Sequence, residues 1–256
     1  MSQLSPPPLI RALLLPERYA HGVEYCRLIE THISWVILTG RYAYKIKKPV
    51  DLGFLDFSTL AKRRFYCEEE LRLNRRLAPG VYDAVVPISG TEEAPLMEGR
   101  GKAIEYAVKM VQFEQAAQLD RMLEQGKLGP GHMDAFCRLV ADFHARAAVA
   151  EVTEDYGTPS QVWQPMGENF TQIRERIHEK HQLETLKELE RWSRATFDAL
   201  EPVLAQRKAN GFIRECHGDM HLRNLAWIDN RPIAFDGIEF NPNLRWIDVI
   251  SEVAFL

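Results

Sequence analysis

The sequence predicts an α+β fold, with a β-rich N-terminal region and a larger, mainly helical C-terminal region. Residues 24–50 are rich in Tyr, Val and Ile and read as strands, whereas the texture turns helical from Gln115 onward. Between them one helix and a strongly alternating strand, Ile104–Phe113, leave a natural hinge after Phe113. The expected domains are therefore 1–113, an antiparallel sheet plus one helix, and 114–256, helices with late short strands.

Each element follows from local spacing. Ser5-Pro6-Pro7-Pro8 leads into a short helix, because proline suits a helix's first turn. Glu24–Glu30, Ile33–Thr39 and Tyr42–Pro49 are strands, the last two separated by Gly40-Arg41 at hairpin spacing. Ser58 is the expected N-cap of a helix to about Leu77, closed by Ala78-Pro79-Gly80. Val81–Ile88 is a short strand, and in Ile104–Phe113 the residues Ile104, Tyr106, Val108 and Met110 alternate with Glu105 and Lys109. Pro130–Val149 carries apolar residues at 136, 139, 140 and 143, and Asn169–Asn210 holds at least two polar-faced helices. Glu151–Pro165 reads as loop. Strands return at Phe212–Glu215, Leu225–Ile228 and Pro232–Phe235, before an amphipathic helix over Leu244–Leu256.

Composition narrows the function. The 256 residues are 46% apolar and 27% charged, an ordinary globular balance that buries a sizeable core without disulfides. A net charge of −4 supplies no global basic field for nucleic acid or an anionic membrane. Cys26, Cys67, Cys137 and Cys216 form no C-x-x-C pair, so reduced thiols and a cytoplasmic setting are expected. No apolar run reaches the ~18 residues of a membrane span. The opening MSQLSPPPLIRALLLPERYA lacks a basic n-region and a small-residue cleavage site, so no signal peptide is expected.

The segment Cys216-His217-Gly218-Asp219-Met220-His221-Leu222-Arg223-Asn224 carries the chemistry. It sets an Asn five residues after an Asp, with Asp236 seventeen residues beyond Asp219 in Phe235-Asp236-Gly237. Phosphoryl transfer from Mg-ATP needs these parts: one carboxylate to take the proton of the attacking hydroxyl, and an amide oxygen and a second carboxylate for the metal. The two strands between Asn224 and Asp236 form a hairpin that returns Asp236 to the same cleft.

His217-Gly218-Asp219-x-His221-x-x-Asn224, followed by Asp236, resembles the catalytic loop and metal motif of the aminoglycoside phosphotransferase family. That family has choline and fructosamine kinases among its relatives and shares the two-lobed protein-kinase-like fold. The resemblance extends over nearly the whole chain. It implies ATP and Mg²⁺ as cofactors, Asp219 as catalytic base flanked by His217 and His221, and Asn224 and Asp236 as magnesium ligands. It also implies Lys45 on the phosphates, partnered by Glu70 or Glu69, and adenine against the backbone of Met110, Val111 and Gln112. Lys47 and Lys48 read as solvated edge charges. Leu139–Arg146 is similar to the family's helix before its insert, with His144 either a core histidine or part of the site. Thr39-Gly40-Arg41-Tyr42 is a poor substitute for a glycine-rich phosphate loop, and no Walker A motif is present.

The expected activity is transfer of the γ-phosphate of ATP to a hydroxyl of a small molecule. Alternatives are a kinase-like nucleotide-binding regulator, or a metal-dependent hydrolase using His217-x-Asp219-x-His221. Expected partners are ATP and a small hydroxyl-bearing substrate, without nucleic acid or membrane. Glu151, Glu154, Asp155 and Glu168 lie where relatives bind substrate, although an ordinary solvated loop carries as many acids. Asp248 is expected to be buried in the terminal helix and to hold the His217–Asp219 loop, with Arg245 as its counter-charge. That helix stops in mid apolar run, so the chain reads as the front of a longer protein. A subgroup with similar YKIKKPVDLGFLDFST and HGDxHxxN segments carries a P-loop domain downstream.

Overall fold

Period-2 alternation gives a strand two faces, and short connections decide which strands become neighbours. In the computed structural model, which describes residues 5–256, the N-terminal elements are α1 (Pro8–Leu13), β1 (Arg27–Glu30), β2 (Ser34–Leu38), β3 (Tyr42–Lys47), α2 (Leu60–Asn74), β4 (Tyr82–Gly90), β5 (Pro95–Met97) and β6 (Ala103–Val111). Residues 1–4 of the opening stretch lie outside the described residues. The strands form one antiparallel sheet in the order β1-β2-β3-β6-β4-β5. β5 carries no sequence signal, being three residues beside a turn-rich stretch.

The crossover that puts β6 beside β3 makes β3 an interior strand. One β3 face buries Tyr44 and Ile46 among Ile10, Leu13, Ile37 and Ile88, while Lys45 and Lys47 share the opposite face. α2 begins one residue later than expected. Its N-cap is Thr59, whose hydroxyl accepts from the Lys62 amide at 3.2 Å, because the Ser58 hydroxyl instead donates to Asp56 at 2.6 Å. Cys67, Glu70, Leu73 and Asn74, spaced at helical intervals, form its buried face.

The remaining elements are α3 (Leu119–Glu124), α4 (Pro130–Arg146), α5 (Pro159–Arg176), α6 (Lys180–Ala209), β7 (Ile213–Glu215), β8 (Leu225–Ile228), β9 (Arg231–Ala234), β10 (Trp246–Asp248) and α7 (Val249–Val253). The chain is thus α+β as predicted. It divides into two compact units. The first runs to Phe143 and takes in Asp219–Asn241; the second comprises His144–Gly218 and Pro242–Leu256. In the first, Phe136, Val140 and Phe143 of α4 pack with Leu119, Met220 and Leu225.

In the second unit, α5 and α6 meet through Trp163 and Phe197, whose ring centroids lie 5.1 Å apart. The expected 151–165 loop ends early. Thr158 caps α5 at 3.3 Å, and the helix runs on through Pro165, which has no N–H to donate to its ladder. The expected helix over 244–256 is likewise shortened to α7. Trp246–Asp248 instead pairs with β7, which overrides the local amphipathic pattern. Among the described residues no helix is long and apolar enough to cross a membrane.

Candidate functional site

Two lysines two residues apart on β3 face one carboxylate on α2. Lys45 Nζ lies 2.8 Å from Glu70 Oε1, and Lys47 Nζ lies 2.7 Å from Glu70 Oε2. Glu69, the alternative partner, lies on the surface with Arg72 at 2.9 Å. Lys45 also bonds Asp236, and Lys47 bonds Glu239. Lys47 is therefore no solvated edge charge: its side chain is 1% exposed, because Glu70 of α2 and Glu239 cover that face of β3. Lys48 is half-buried and pairs with Glu30 at 2.6 Å.

Electrostatics favour the charged forms of the two lysines and of Glu70. Burial opposes the Lys45 charge, yet Asp236 and Glu70 more than offset it, and its pKa rises well above the ordinary lysine value. Lys47 is raised in the same way, against burial, by Glu239 and Glu70. Burial works to raise Glu70, but the two ammonium groups prevail and hold it below the usual carboxylate value. Glu239 is pushed up by its burial, which Lys47 only partly opposes.

The β8–β9 hairpin returns the chain to this row, as the spacing predicts. Asp236 adopts a left-handed backbone, φ 62°, held by its own amide donating to the Tyr82 hydroxyl at 3.0 Å. The next amide, Gly237, donates to Asn74 Oδ1 at 2.8 Å, and Asn74 Nδ2 donates to the Glu70 carbonyl at 2.9 Å. Tyr82, Asn74 and Glu239 escape sequence reading. Only Glu239 leaves a signal there, a carboxylate three residues after Asp236.

Asp219 shares a cavity of about 560 Å³ with Lys45, Asp236, Met110, Val111 and Gln112. Asn224 Nδ2 donates to the Asp219 carbonyl at 2.9 Å and to its carboxylate at 3.0 Å. His221 Nε2 lies 3.6 Å from the same carboxylate. The Val111 amide already donates to the Val81 carbonyl at 2.8 Å and the Gln112 amide to the Arg41 carbonyl at 3.1 Å, so neither reads a ligand edge in this conformation. The turn that lines the cavity is Thr31–His32–Ile33, between β1 and β2, rather than Thr39–Tyr42. It contains no glycine, which is why the sequence does not announce it.

In the second unit the loop preceding Asp219 is anchored by Glu252. Glu252 Oε1 accepts from the amides of His217 at 2.6 Å and Gly218 at 2.8 Å, and its Oε2 lies 2.6 Å from His144 Nε2. Asp248, assigned this task from sequence, is buried as expected but is taken up by a bidentate pair with Arg207 at 2.6 and 2.7 Å. It also caps α7 through the Ile250 amide at 2.9 Å. Arg245, expected as its counter-charge, pairs with Glu215 at 3.2 Å. The cause is the β7–β10 pairing, which ends the strand at Asp248 and starts α7 there, so that Glu252 rather than Asp248 lies one turn into the helix. Gly218 is required at its position: φ is +86°, and a Cβ would lie 2.7 Å from the Leu244 carbonyl.

Burial tends to raise the Glu252 pKa, but the His144 and Gly218 hydrogen bonds outweigh it and the value falls below the ordinary 4.5. A depressed carboxylate contributes stability above its unfolded value and loses it as pH falls through the lower folded one. Glu252→Gln is therefore expected to cost about 1–3 kcal/mol at neutral pH. The gap from the parent should close below pH 4.5. Urea unfolding across that range checks this, and a gap independent of pH would contradict it.

His217, Asp219 and His221 do not gather as a metal cluster. Among the described residues, the His, Cys and carboxylate ligand atoms that lie within 4.8 Å of one another in a group of three belong to His144, Cys216 and Glu252. There the His144–Glu252 separation of 2.6 Å is a hydrogen bond, too short for two atoms ligating one ion. Two of the insert acids are engaged locally: the Glu154 carboxylate accepts from the Glu151 amide at 2.8 Å, and Glu168 accepts from Gln164 at 3.0 Å.

No protein-family model matches the chain. Uncharacterized proteins of Mycobacterium bovis and Mycobacterium tuberculosis are 30% identical to it over 227 residues, 89% of this chain and 44% of each relative. The chain thus spans less than half the length of these curated relatives. Among solved structures, the ADP-bound crystal structure of aminoglycoside phosphotransferase APH(2'')-Ib aligns with 87% of this chain and 69% of that chain, at 12% identity and a TM-score of 0.40.

Proposed function

We propose that the chain is an ATP-dependent phosphotransferase that moves the γ-phosphate of Mg-ATP to a hydroxyl of a small molecule. The observation that carries this reading is the buried Lys45–Glu70 pair with Asp236 beside it, on the wall of a cavity that also takes Asp219. Lys45 binds the phosphates while Glu70 keeps its ammonium charged and aimed. Asp219 accepts the proton of the attacking hydroxyl, with Asn224 fixing its carboxylate.

Magnesium fits the donor set. The Asp236 carboxylate and the Asn224 amide oxygen are hard oxygen ligands, and the Asn224 nitrogen already faces Asp219, which leaves its oxygen to the cation. Magnesium bound there would neutralise charge on the phosphate oxygens.

Two measurements test the reading. ATP consumption should appear with at least one member of a panel of sugars, amino alcohols and nucleosides, and should require Mg²⁺. Failure of the chain to bind Mg-ATP at all would refute it. Asn224→Ala and Asp236→Ala are expected to raise the magnesium requirement about 10–100-fold relative to the parent and to Asp219→Asn. Equal magnesium titrations for all four proteins would show that this division of roles is wrong.

A further inference from the structure

We infer that Glu239, acting through Lys47, is a positioning residue that holds the Asp236 carboxylate in register when Lys45 turns to a phosphate; this rests on the function proposed above. On β3 the two lysines are two residues apart on one face, about 7 Å along the strand. In the segment that follows β9, Asp236 and Glu239 are three residues apart, and each meets one of these lysines. Glu70 bridges the lysines from α2 with its two oxygens. The result is a row of five alternating charges: Glu239, Lys47, Glu70, Lys45, Asp236.

The ends of this row differ. Both end carboxylates line the cavity, but the Glu239 and Lys47 side chains are 4% and 1% exposed, whereas the Asp236 side chain is 48% exposed. A phosphate that draws Lys45 away removes a tether from Asp236 just when that carboxylate must hold its place. The Glu239–Lys47 contact, buried on both sides, persists through that exchange and keeps the segment on the sheet. It also keeps a cation on Glu70, so that the helix carboxylate stays ionised and oriented. Stability alone does not require an ion pair here, because an apolar pair of similar volume is often as stable or more so. A defined register between two segments is what the charges add.

The test is titration of a fluorescent ADP analogue against Mg²⁺, with the melting temperature recorded for each protein. The proteins compared are the parent chain, Glu239→Gln, and the double variant Lys47→Met with Glu239→Met. Both variants are expected to need about tenfold more Mg²⁺ for half-maximal binding, as when a residue supporting a metal ligand is lost. Magnesium-free binding should stay at the parent's level. The double variant, which packs two apolar side chains together, should melt no lower than Glu239→Gln. A purely structural role would instead lower the melting temperature and leave the magnesium requirement alone. Requirements within twofold of the parent's in both variants overturn the inference while leaving the proposed function standing. A parent that binds no nucleotide with or without Mg²⁺ overturns both.

Discussion

Asp219→Asn is expected to lower turnover about 10²–10⁴-fold, the range for loss of a general base. Nucleotide binding should stay close to the parent's, because the residue proposed to contact the phosphates is Lys45, which also lines the cavity. The substitution keeps size and shape, and Asn224 can still donate to the residue-219 carbonyl, so the loop has little reason to move. Single-turnover phosphoryl transfer, once an acceptor is found, separates the two quantities. ATP hydrolysis with water as acceptor serves until then. Turnover within tenfold of the parent, or a loss of binding that matches the loss of turnover, would take the base role away from Asp219.

Glu70→Ala carries the largest expected effect on stability. It leaves two ammonium groups on one strand face without the carboxylate that bridges them, one of them 1% exposed. Breaking a buried ion pair by deleting one partner costs about 3–5 kcal/mol. Asp236 and Glu239 remain as partners, which keeps the cost within that range rather than above it. Adding Lys47→Met to Glu70→Ala should recover part of the loss, since it removes one stranded charge, and additivity should fail by more than the usual few tenths of a kcal/mol. The difference between parent and Glu70→Ala should also shrink below the ordinary carboxylate value of 4.5, because Glu70 is depressed in the folded state and its contribution fades as it takes up a proton. Urea midpoints measured at neutral and acid pH provide the check. A loss under 1 kcal/mol would mean that the lysines are solvated on opening, against their burial.

Much of the site is legible in the chain because its parts obey local geometry. The alternation Tyr44-Lys45-Ile46-Lys47 assigns both lysines to one face whatever lies opposite. Glu70 falls on the buried stripe of α2 with Cys67 and Leu73, whereas Glu69 does not. The Asp219–Asn224 spacing and the hairpin to Asp236 are likewise short-range facts. The misread residues share a different feature. Lys47 sits in Lys45-Ile46-Lys47-Lys48-Pro49, which has the look of an exposed strand end, and only Glu70 and Glu239, brought from distant parts of the chain, enclose it. Asp248 lies in an amphipathic run, and only the pairing of Trp246–Asp248 with β7, thirty-odd residues earlier, turns part of that run into a strand. Glu252 and His144 are 108 positions apart, and nothing in either neighbourhood marks them as partners.

The sequence by itself determined which face the β3 side chains take, where the β2–β3 and β8–β9 hairpins turn, and that Asp219, Asn224 and Asp236 stand at the intervals the proposed function needs. These follow from rotations per residue and from turn chemistry, which act over a few positions. The tertiary structure decided that Lys47 is buried rather than solvated, that Glu239 pairs with Lys47, that Glu252 accepts from the His217 and Gly218 amides, and that Asp248 pairs with Arg207 instead. Burial and charge pairing depend on what packs across from a residue. That neighbour is chosen by strand order and core packing over long stretches of chain, so no local window contains it.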